Sequence, residues 1–563
     1  MTTENHPSTK RRPFFGGVAF EQWIALLMTV VVIQTAVVTY WFTLADDSQG
    51  DAGRDAQIFA LRGLGQRTIG SLKSGYAETT AYQRWVEMNT LAGLSEQKGD
   101  TQAAERYRAI RDRVARLSPL LQPPYFDPES DTAPDFYAYE ADTYIVETAA
   151  LSERFANQYN LKSSWFDKAS SYTVHLTLLA VALFLFGLAA TAKSRVRWLF
   201  VSAGLVFSAA TLVWMLTAYF QPVSSLSDDA IKSYARGVGL AYRGEPKEAI
   251  AAFDDALKIA PTYANAFRDR ALAYLDLSQN DEAAASFEKA RAAGDKSGET
   301  AGNLGWTYYL LGRFNESVQA NQIALRTSPD EMWIQYDLAL SLLASGQTQA
   351  AQAEYGRAMD ATIAQVAKAK AAGKQPPETL WWSIDAAAAD LDELVACLTR
   401  QSCAASAPAQ SIANPDSVSR AATDLRVRLK ELSVALEYTG KPPIETVSAT
   451  VKPFVFAQDF TIGESGITDV QAATVFTDTE TPIYVIFEHQ GLKNGQEVVI
   501  KVIYDGTEDP RLRVAEDLQD VEPAGDTSYF AISTGGIPFW TGTYQVEMFI
   551  DSRLVQEGAF TVE

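Results

Sequence analysis

From Ala230 onward the chain repeats itself every 34 residues, and this register limits its fold more than any other feature of its 563 residues. Four units begin at Ala230, Ala264, Gly298 and Met332. Their eighth positions hold Gly237, Ala271, Gly305 and Ala339, and their eleventh hold Leu240, Tyr274, Tyr308 and Leu342. The fifteenth holds Gly244, Ser278, Gly312 and Gly346. Each second half then carries a small residue (Ala249, Ala283, Ser317, Ala351), a larger one (Phe253, Phe287, Asn321, Tyr355) and an alanine (Ala256, Ala290, Ala324, Ala358). Pro261 and Pro329 close the first and third units. A unit of this length is a helix pair that cannot bury its apolar face alone, so neighbours must stack. Small residues sit where paired helices cross closely, large ones fill the space between units, and glycine makes the turn.

This register resembles the tetratricopeptide-repeat family over residues 230–363. The departures are the missing proline in units two and four, and Asn321 in place of a core aromatic. The resemblance implies an α-solenoid over 229–363 that binds proteins. It places positions two, five, nine, twelve and thirteen on a concave face, which here carries Tyr234, Tyr242, Arg268, Trp306, Tyr309, Trp333 and Tyr336. Aromatics and arginine dominate binding hot spots. The Lys and Asn set with which some relatives clamp a carboxylate tail is absent, so this groove suits an apolar or aromatic segment. The other reading is that the chain's own later helices fill it. Residues 364–441 supply two, Thr379–Thr399 and Ser417–Tyr438, as a helical extension in which Trp381 and Trp382 cap the exposed end or reach into the groove.

Three apolar stretches precede the repeats. Trp23–Phe42 runs 20 residues without a charge, long enough to cross about 30 Å of hydrocarbon. The expected transmembrane helices are 23–43, 172–192 and 198–220. Lys10, Arg11 and Arg12 precede the first, and Lys193, Arg195 and Arg197 lie about the 193–197 loop between the others. Asp46, Asp47, Asp51, Asp228 and Asp229 follow the first and third. Basic residues near span ends favour the cytoplasm. The expectation is a multi-pass protein of the plasma (inner) membrane with residues 1–22 cytoplasmic. Residues 44–171, the repeats and the C-terminal part are extracytoplasmic. Gly187 with Thr191, and Gly204 with Ser208, suggest close packing of the second and third helices. Gln34 is either an interhelical tie or an amide tolerated against the backbone. No Asp, Glu, Lys or Arg lies within a span, which argues against an ion path.

Residues 44–171 read as an external helical bundle, broken at Gly99-Asp100 and after Gln122-Pro123-Pro124. Asp127–Asp131 reads as a solvated acidic loop rather than a calcium site, since it lacks the glycine and spaced oxygens of an EF-hand. Residues 20–220 as a whole resemble uncharacterised bacterial three-span membrane proteins, a likeness that implies no function. After Lys441-Pro442-Pro443 the period changes to two. Tyr544, Val546, Met548 and Ile550 alternate with Gln545 and Glu547, and turn signals stand at Lys493-Asn494-Gly495 and Asp505-Gly506. Residues 442–563 thus read as an all-β sandwich of about seven strands. The ending resembles Ig-like modules of bacterial surface proteins, which bind or space.

Chemistry is sparse. A net charge of −21 disfavours nucleic acid, whose phosphates demand clustered cations. Two cysteines and three histidines exclude a thiolate metal site and disfavour a histidine one, and no cofactor loop or nucleophile motif is present. Cys397 and Cys403 are either a disulfide or two thiols. The expected function is a membrane-anchored, non-enzymatic scaffold or accessory subunit. It binds protein partners of an envelope complex on the extracytoplasmic face, with the lipid bilayer as its other contact. The alternative is an extracytoplasmic sensor that signals through a partner.

Overall fold

The computed structural model describes residues 20–128, 132–192, 195–223, 225–400, 411–440, 443, 447, 449–463, 466–477, 481–492, 496–504, 507–508, 514–517, 527–533 and 539–563. Lys10, Arg11, Arg12, Glu129–Asp131, Lys193, Cys403, Lys441-Pro442, Lys493-Asn494-Gly495 and Asp505-Gly506 lie outside the described residues. The chain is mostly helical, with helix-pair repeats, three apolar helices and a C-terminal β-sheet region. It divides into two compact units, residues 1–266 and 267–563.

In the first unit, helix α1 (Phe20–Tyr76) is one unbroken rod of 57 residues, so the first apolar stretch runs straight on into the segment that follows. A π-helical segment, Ala77–Tyr82, leads into α2 (Gln83–Gln97). Gly99 takes a positive φ of 76°, and Asp100 caps α3 (Thr101–Leu117) by accepting from Ala103 N at 3.0 Å. Asp135 caps α4 (Phe136–Glu140) in the same way. A second π-helical segment, Ala141–Ile145, leads into α5 (Val146–Thr191), and α6 (Val196–Phe220) turns back beside it. Three helices here are long and apolar enough to cross a membrane.

Heptad spacing explains how these rods pack. The buried positions of α1 include Ile24, Val31, Val38, Ala45 and Ala52, each seven apart. In α5, Tyr172, His175, Leu179, Ala182, Phe186 and Ala189 alternate by three and four, as do Val201, Gly204, Ser208, Thr211, Met215 and Ala218 of α6. A 3.5-residue period keeps one seam facing its partner along the whole rod. Helices α1 and α5 run antiparallel: Trp41 lies beside Tyr172, Gly53 beside Lys162, Gly63 beside Leu151 and Gly70 against Tyr144. Gly204 is required, since a Cβ there would stand 2.7 Å from the Phe186 ring. Gly187 is not, because a Cβ would meet nothing within 4 Å. Thr191 is exposed and bonds only its own helix. The Gly187–Thr191 pair therefore has no packing role, and Phe186 and Ala189 hold the seam instead. Gln34 accepts a hydrogen bond from Ser208 Oγ at 2.8 Å, which ties α1 to α6.

The helix pairs are α7 (Asp228–Tyr242) with α8 (Pro246–Ile259), α9 (Ala264–Asp276) with α10 (Asn280–Ala292), α11 (Gly298–Leu310) with α12 (Phe314–Thr327), and α13 (Met332–Ala344) with α14 (Thr348–Ala371). The turn residues Gly244, Ser278, Gly312 and Gly346 all take positive φ, between 56° and 82°. Small eighth residues are needed sterically. A Cβ on Gly237 would stand 2.5 Å from Phe253, and one on Gly305 would stand 2.4 Å from Asn321 Oδ1. Asn321 is fully buried, and its Oδ1 and Nδ2 find no hydrogen-bond partner among the described residues. A buried amide left unpaired costs about 1–3 kcal/mol. Asn321→Leu is therefore expected to raise stability by about 1–2 kcal/mol in a denaturant titration. A loss of stability would show that the amide makes bonds that Leu cannot replace.

In the second unit, α15 (Glu378–Arg400) and α16 (Pro415–Val434) follow the last pair. Trp381 is part-buried against the core, while Trp382 is 55% exposed. Cys397 is buried and disulfide-bonded.

The β-sheet region has twelve strands among the described residues: β1 (Thr450–Val451), β2 (Val455–Ala457), β3 (Thr461–Gly463), β4 (Gly466–Thr468), β5 (Val475–Phe476), β6 (Ile483–Gln490), β7 (Glu497–Tyr504), β8 (Thr507–Glu508), β9 (Val514–Asp517), β10 (Thr527–Ile532), β11 (Gly542–Ile550) and β12 (Arg553–Val562). One sheet runs β1-β6-β10 with β2 also on β6. Another runs β5-β12-β11-β7-β8 with β9 also on β7, and β3-β4 form a separate pair. Facing residues of the two larger sheets, among them Val485, Phe530, Val502, Val546 and Phe560, share one apolar core.

The alternation along β11 holds, but its outward face is not solvated. Glu547 is 2% exposed, because α16 lies over it. Lys430 Nζ, 7% exposed, stands 2.6 Å from Glu547, 2.8 Å from Asp392 and 2.9 Å from Glu557. Arg426 pairs with Asp392 at 2.6 Å and with Glu557 at 2.8 Å. Val434 packs on Val499 and Phe549 beside this network.

Candidate functional site

The inner-face residues expected to bind a partner fall into two groups. In the first unit, α4 and α5 lie along the first helix pair. Ile231 and Ala235 pack on Ala150, and a Cβ on Gly239 would meet Val146 at 2.3 Å. Tyr234 is buried between Phe253 and Tyr263, with centroids at 5.8 and 5.1 Å. Glu153, buried on α5, accepts from Tyr263 Oη at 2.8 Å and from Asn265 Nδ2 at 2.7 Å. Arg154 pairs with Asp228 at 2.8 Å. Tyr242 remains partly exposed but donates to Glu140 and stacks edgewise on Tyr137. Burial and that carboxylate push its pKa above the usual range for tyrosine.

In the second unit, α15 occupies the face of the third and fourth pairs. Its Leu380, Ile384, Ala387, Leu391 and Leu394 share one core with Tyr309, Tyr336, Leu340 and Leu343. Tyr309 is 1% exposed and Tyr336 2%, and Trp306 stacks on Tyr309 at 5.3 Å. Tyr336 Oη and Thr362 Oγ1 share a hydrogen bond of 3.1 Å. Trp333 is part-buried over Gly302, where a Cβ would stand 2.6 Å from the indole. Arg268 is part-buried and paired with Asp269 at 2.7 Å. Tyr234, Tyr309 and Tyr336 are therefore core residues rather than an open surface. The cause is plain: the apolar face that α15 must bury matches the face the repeats leave uncovered.

Two carboxylates are caught in this seat. Asp337 of α13 and Asp390 of α15 lie where burial disfavours charge. Burial, and then the neighbouring Glu393, raise the Asp390 pKa to about 7. Burial, and then Asp390, hold Asp337 well above its ordinary value. Tyr309 and Tyr355 are also raised by burial, with Asp390 the next cause, and their hydroxyls find no partner among the described residues. Sequence reading passed over both acids. Asp390 stands one residue before Leu391 and four before Leu394, which sets it at the edge of the buried stripe of α15, and that was the available signal. Among the described residues no group of three or more His, Cys, Asp or Glu side chains could hold a metal ion.

With the helix pairs and their faces in place, comparison with known proteins decides what the pairs are. The family described as tetratricopeptide repeat matches residues 234–299 and 268–331. Residues 234–331 are tetratricopeptide repeats. Such repeats mediate protein–protein interactions. No curated protein matches the chain. Among solved structures, the chain is similar to YrrB, described as a TPR protein with an unusual peptide-binding site. The identity is 20%, with 31% of this chain and 92% of YrrB covered and a TM-score of 0.23. It is similar to MamA, residue 41 to the end, from Desulfovibrio magneticus RS-1, at 18% identity, covering 33% of this chain and 96% of that one, with a TM-score of 0.24. A third likeness is to the Cut9–Hcn1 hetero-tetramer of APC/C, at 12% identity, covering 75% and 94%, with a TM-score of 0.25.

Proposed function

We propose that this chain is a membrane-anchored, protein-binding scaffold that holds partners of a bacterial envelope complex on the extracytoplasmic face. The observation that carries this reading is a pair of aromatic layers at the two ends of the apolar helices. At one end Phe20 meets Trp198 at 5.3 Å and lies under Arg197 at 4.2 Å. At the other, Trp41 stacks on Tyr219 at 4.2 Å and lies 6.1 Å from Tyr172. From Phe20 to Trp41 a helix rises about 32 Å, close to the roughly 30 Å of a hydrocarbon core. Aromatic belts mark such boundaries. Arg195 and Arg197 lie at the first end. Asp46, Asp47, Asp228 and Asp229 lie beyond the second. That asymmetry supports cytoplasmic residues 1–22 and external repeats, and the disulfide-bonded Cys397 suits an oxidising compartment.

The two sheets with one core support an Ig-like module at 442–563. The partner surface moves with the geometry. Because α15 covers Tyr309 and Tyr336, the proposed docking face is the aromatic cluster on the outer side of β6 and β10. There Phe460 lies 4.6 Å from Tyr529 and 5.0 Å from Tyr484.

The orientation is tested in a variant lacking both cysteines, with single cysteines restored and an impermeant thiol reagent added to intact cells. Cysteines at Asp46 and Asp229 should be modified and one at Ser194 should not; the reverse pattern places the repeats in the cytoplasm. Tyr484→Ala with Tyr529→Ala should then cut partner recovery in mild detergent about tenfold or more, with the melt unchanged. Unaltered recovery would move the docking face elsewhere.

A further inference from the structure

We infer that the helical segment between α1 and α5 carries a binding site for a single-chain amphiphile with an anionic head, a long-chain carboxylate. A cavity of about 820 Å3 opens there, within the roughly 300–1,000 Å3 typical of small-ligand sites. Its walls are largely apolar, with Ile69, Leu72, Val114 and Leu117 among them. Ile69, Leu72 and Leu117 are each more than half exposed, an apolar rim that a hydrocarbon chain would cover.

The polar groups at the cavity choose the head group. Ser118 is 6% exposed, lines the cavity, and its Oγ finds no hydrogen-bond partner among the described residues. Three charged side chains line the site. Asp142 already accepts from Tyr125 Oη at 2.9 Å. Arg84 is held by Glu87 at 2.5 Å. Lys73 makes no ion pair among the described residues. One ammonium is therefore unspent, and it complements a carboxylate rather than an amine.

The backbone supplies an independent pointer. Both π-helical segments of the first unit line this same cavity, through Ala77 and Thr80 on one and Asp142 and Thr143 on the other. A π-turn widens a helix, leaves a carbonyl without its usual partner and recurs at functional sites. Here Gln66 Nε2 donates to Thr143 O at 2.9 Å, so the irregular backbone is secured by a side chain. The two strands of chain are pinned beside it at Gly70, where a Cβ would stand 2.1 Å from Tyr144 Cβ.

The test uses the full chain in lipid nanodiscs with a hexadecanoate that carries a diazirine near its chain end, followed by mapping of the photo-adducts. Adducts are expected on residues 69–84 and 114–119. Excess unlabelled hexadecanoate should suppress them, and hexadecanol and hexadecylamine should not. Lys73→Gln should lower this labelling about three- to tenfold, the scale of one charge-assisted contact on a partly exposed group. Thr80→Trp should abolish it by filling the cavity. Both side chains are exposed, so an unchanged melt separates lost binding from lost folding. Adducts confined to the apolar stretches 23–43, 172–192 and 198–220 would overturn the site. Equal competition by the alcohol, stronger competition by the amine, or full labelling of Lys73→Gln would overturn the anionic head group.

Discussion

Lys430→Met is expected to destabilise the unit from residue 267 onward by about 3–5 kcal/mol, the cost of leaving a buried carboxylate without its cation. The side chain lost is one ammonium, yet three acids depend on it: Glu547, Asp392 and Glu557. Burial works against a charged Lys430, but those three carboxylates outweigh it and hold its pKa above the usual lysine value. Its contribution is therefore complete below about pH 10.4 and fades only as the pH rises through that higher folded value. Lys430→Met combined with Glu547→Leu should recover much of the loss, because an apolar pair of similar volume often replaces a buried ion pair at little cost. Equilibrium denaturation of the two variants decides the matter. A single variant that melts with the parent, or a double variant no better than the single, would mean that packing of Val434 on Phe549, not charge, holds α16 to the sheet.

The seat of α15 is expected to weaken as the pH rises from about 4 to about 7. Asp390 has an ordinary pKa near 3.8 and a folded value of about 7, so the folded state binds its proton more tightly. Stability is then greatest below about pH 4, declines through that window and levels above it. The shift corresponds to a ceiling on the order of 4 kcal/mol. The groups that face it are Glu393 on the same helix, Asp337 on α13, Tyr309 on α11 and Tyr355 on α14. Asp337 is raised in the same direction and adds to the slope. Asp390→Asn keeps the neutral shape. It should stabilise the protein at pH 8 by about 2–4 kcal/mol and leave it nearly unchanged at pH 4. Equal effects at both values would assign the change to packing and refute the proton linkage.

The 34-residue register was legible because each position answers to sterics that sequence displays directly: Gly237 faces Phe253, and four turn residues need positive φ. The alternation in β11 was legible for the same reason. What sequence does not display is which element covers an apolar face. Tyr309 and Tyr336 carry the pattern of a binding groove whether a partner or α15 lies on them. Tyr234 raised the same ambiguity at the other end, where Phe253 and Tyr263 bury it. Glu547 lies on the face that alternation marks as outward, and alternation does not say whether anything lies over that face. Lys430 and Arg426, spaced i,i+4 on α16, were the counterparts to notice. Gly187 misled because small residues permit close packing without requiring it.

The unbroken α1 has a mechanical consequence. At 1.5 Å per residue its 57 residues span about 85 Å, and on the membrane reading the part beyond residue 43 forms a mast about 50 Å tall. The mast works as a ruler. On α1 the seven-residue spacing continues above residue 43 through Ala45 and Ala52, so a change of length in steps of seven residues, each about 10 Å, keeps that seam facing its neighbour. Two residues added to one rod alone would rotate the remainder of that rod by roughly half a turn and leave the two rods out of phase. Working height above the bilayer and angular bearing are thus coupled, and evolution of this architecture should proceed by paired heptads rather than by single-residue insertions.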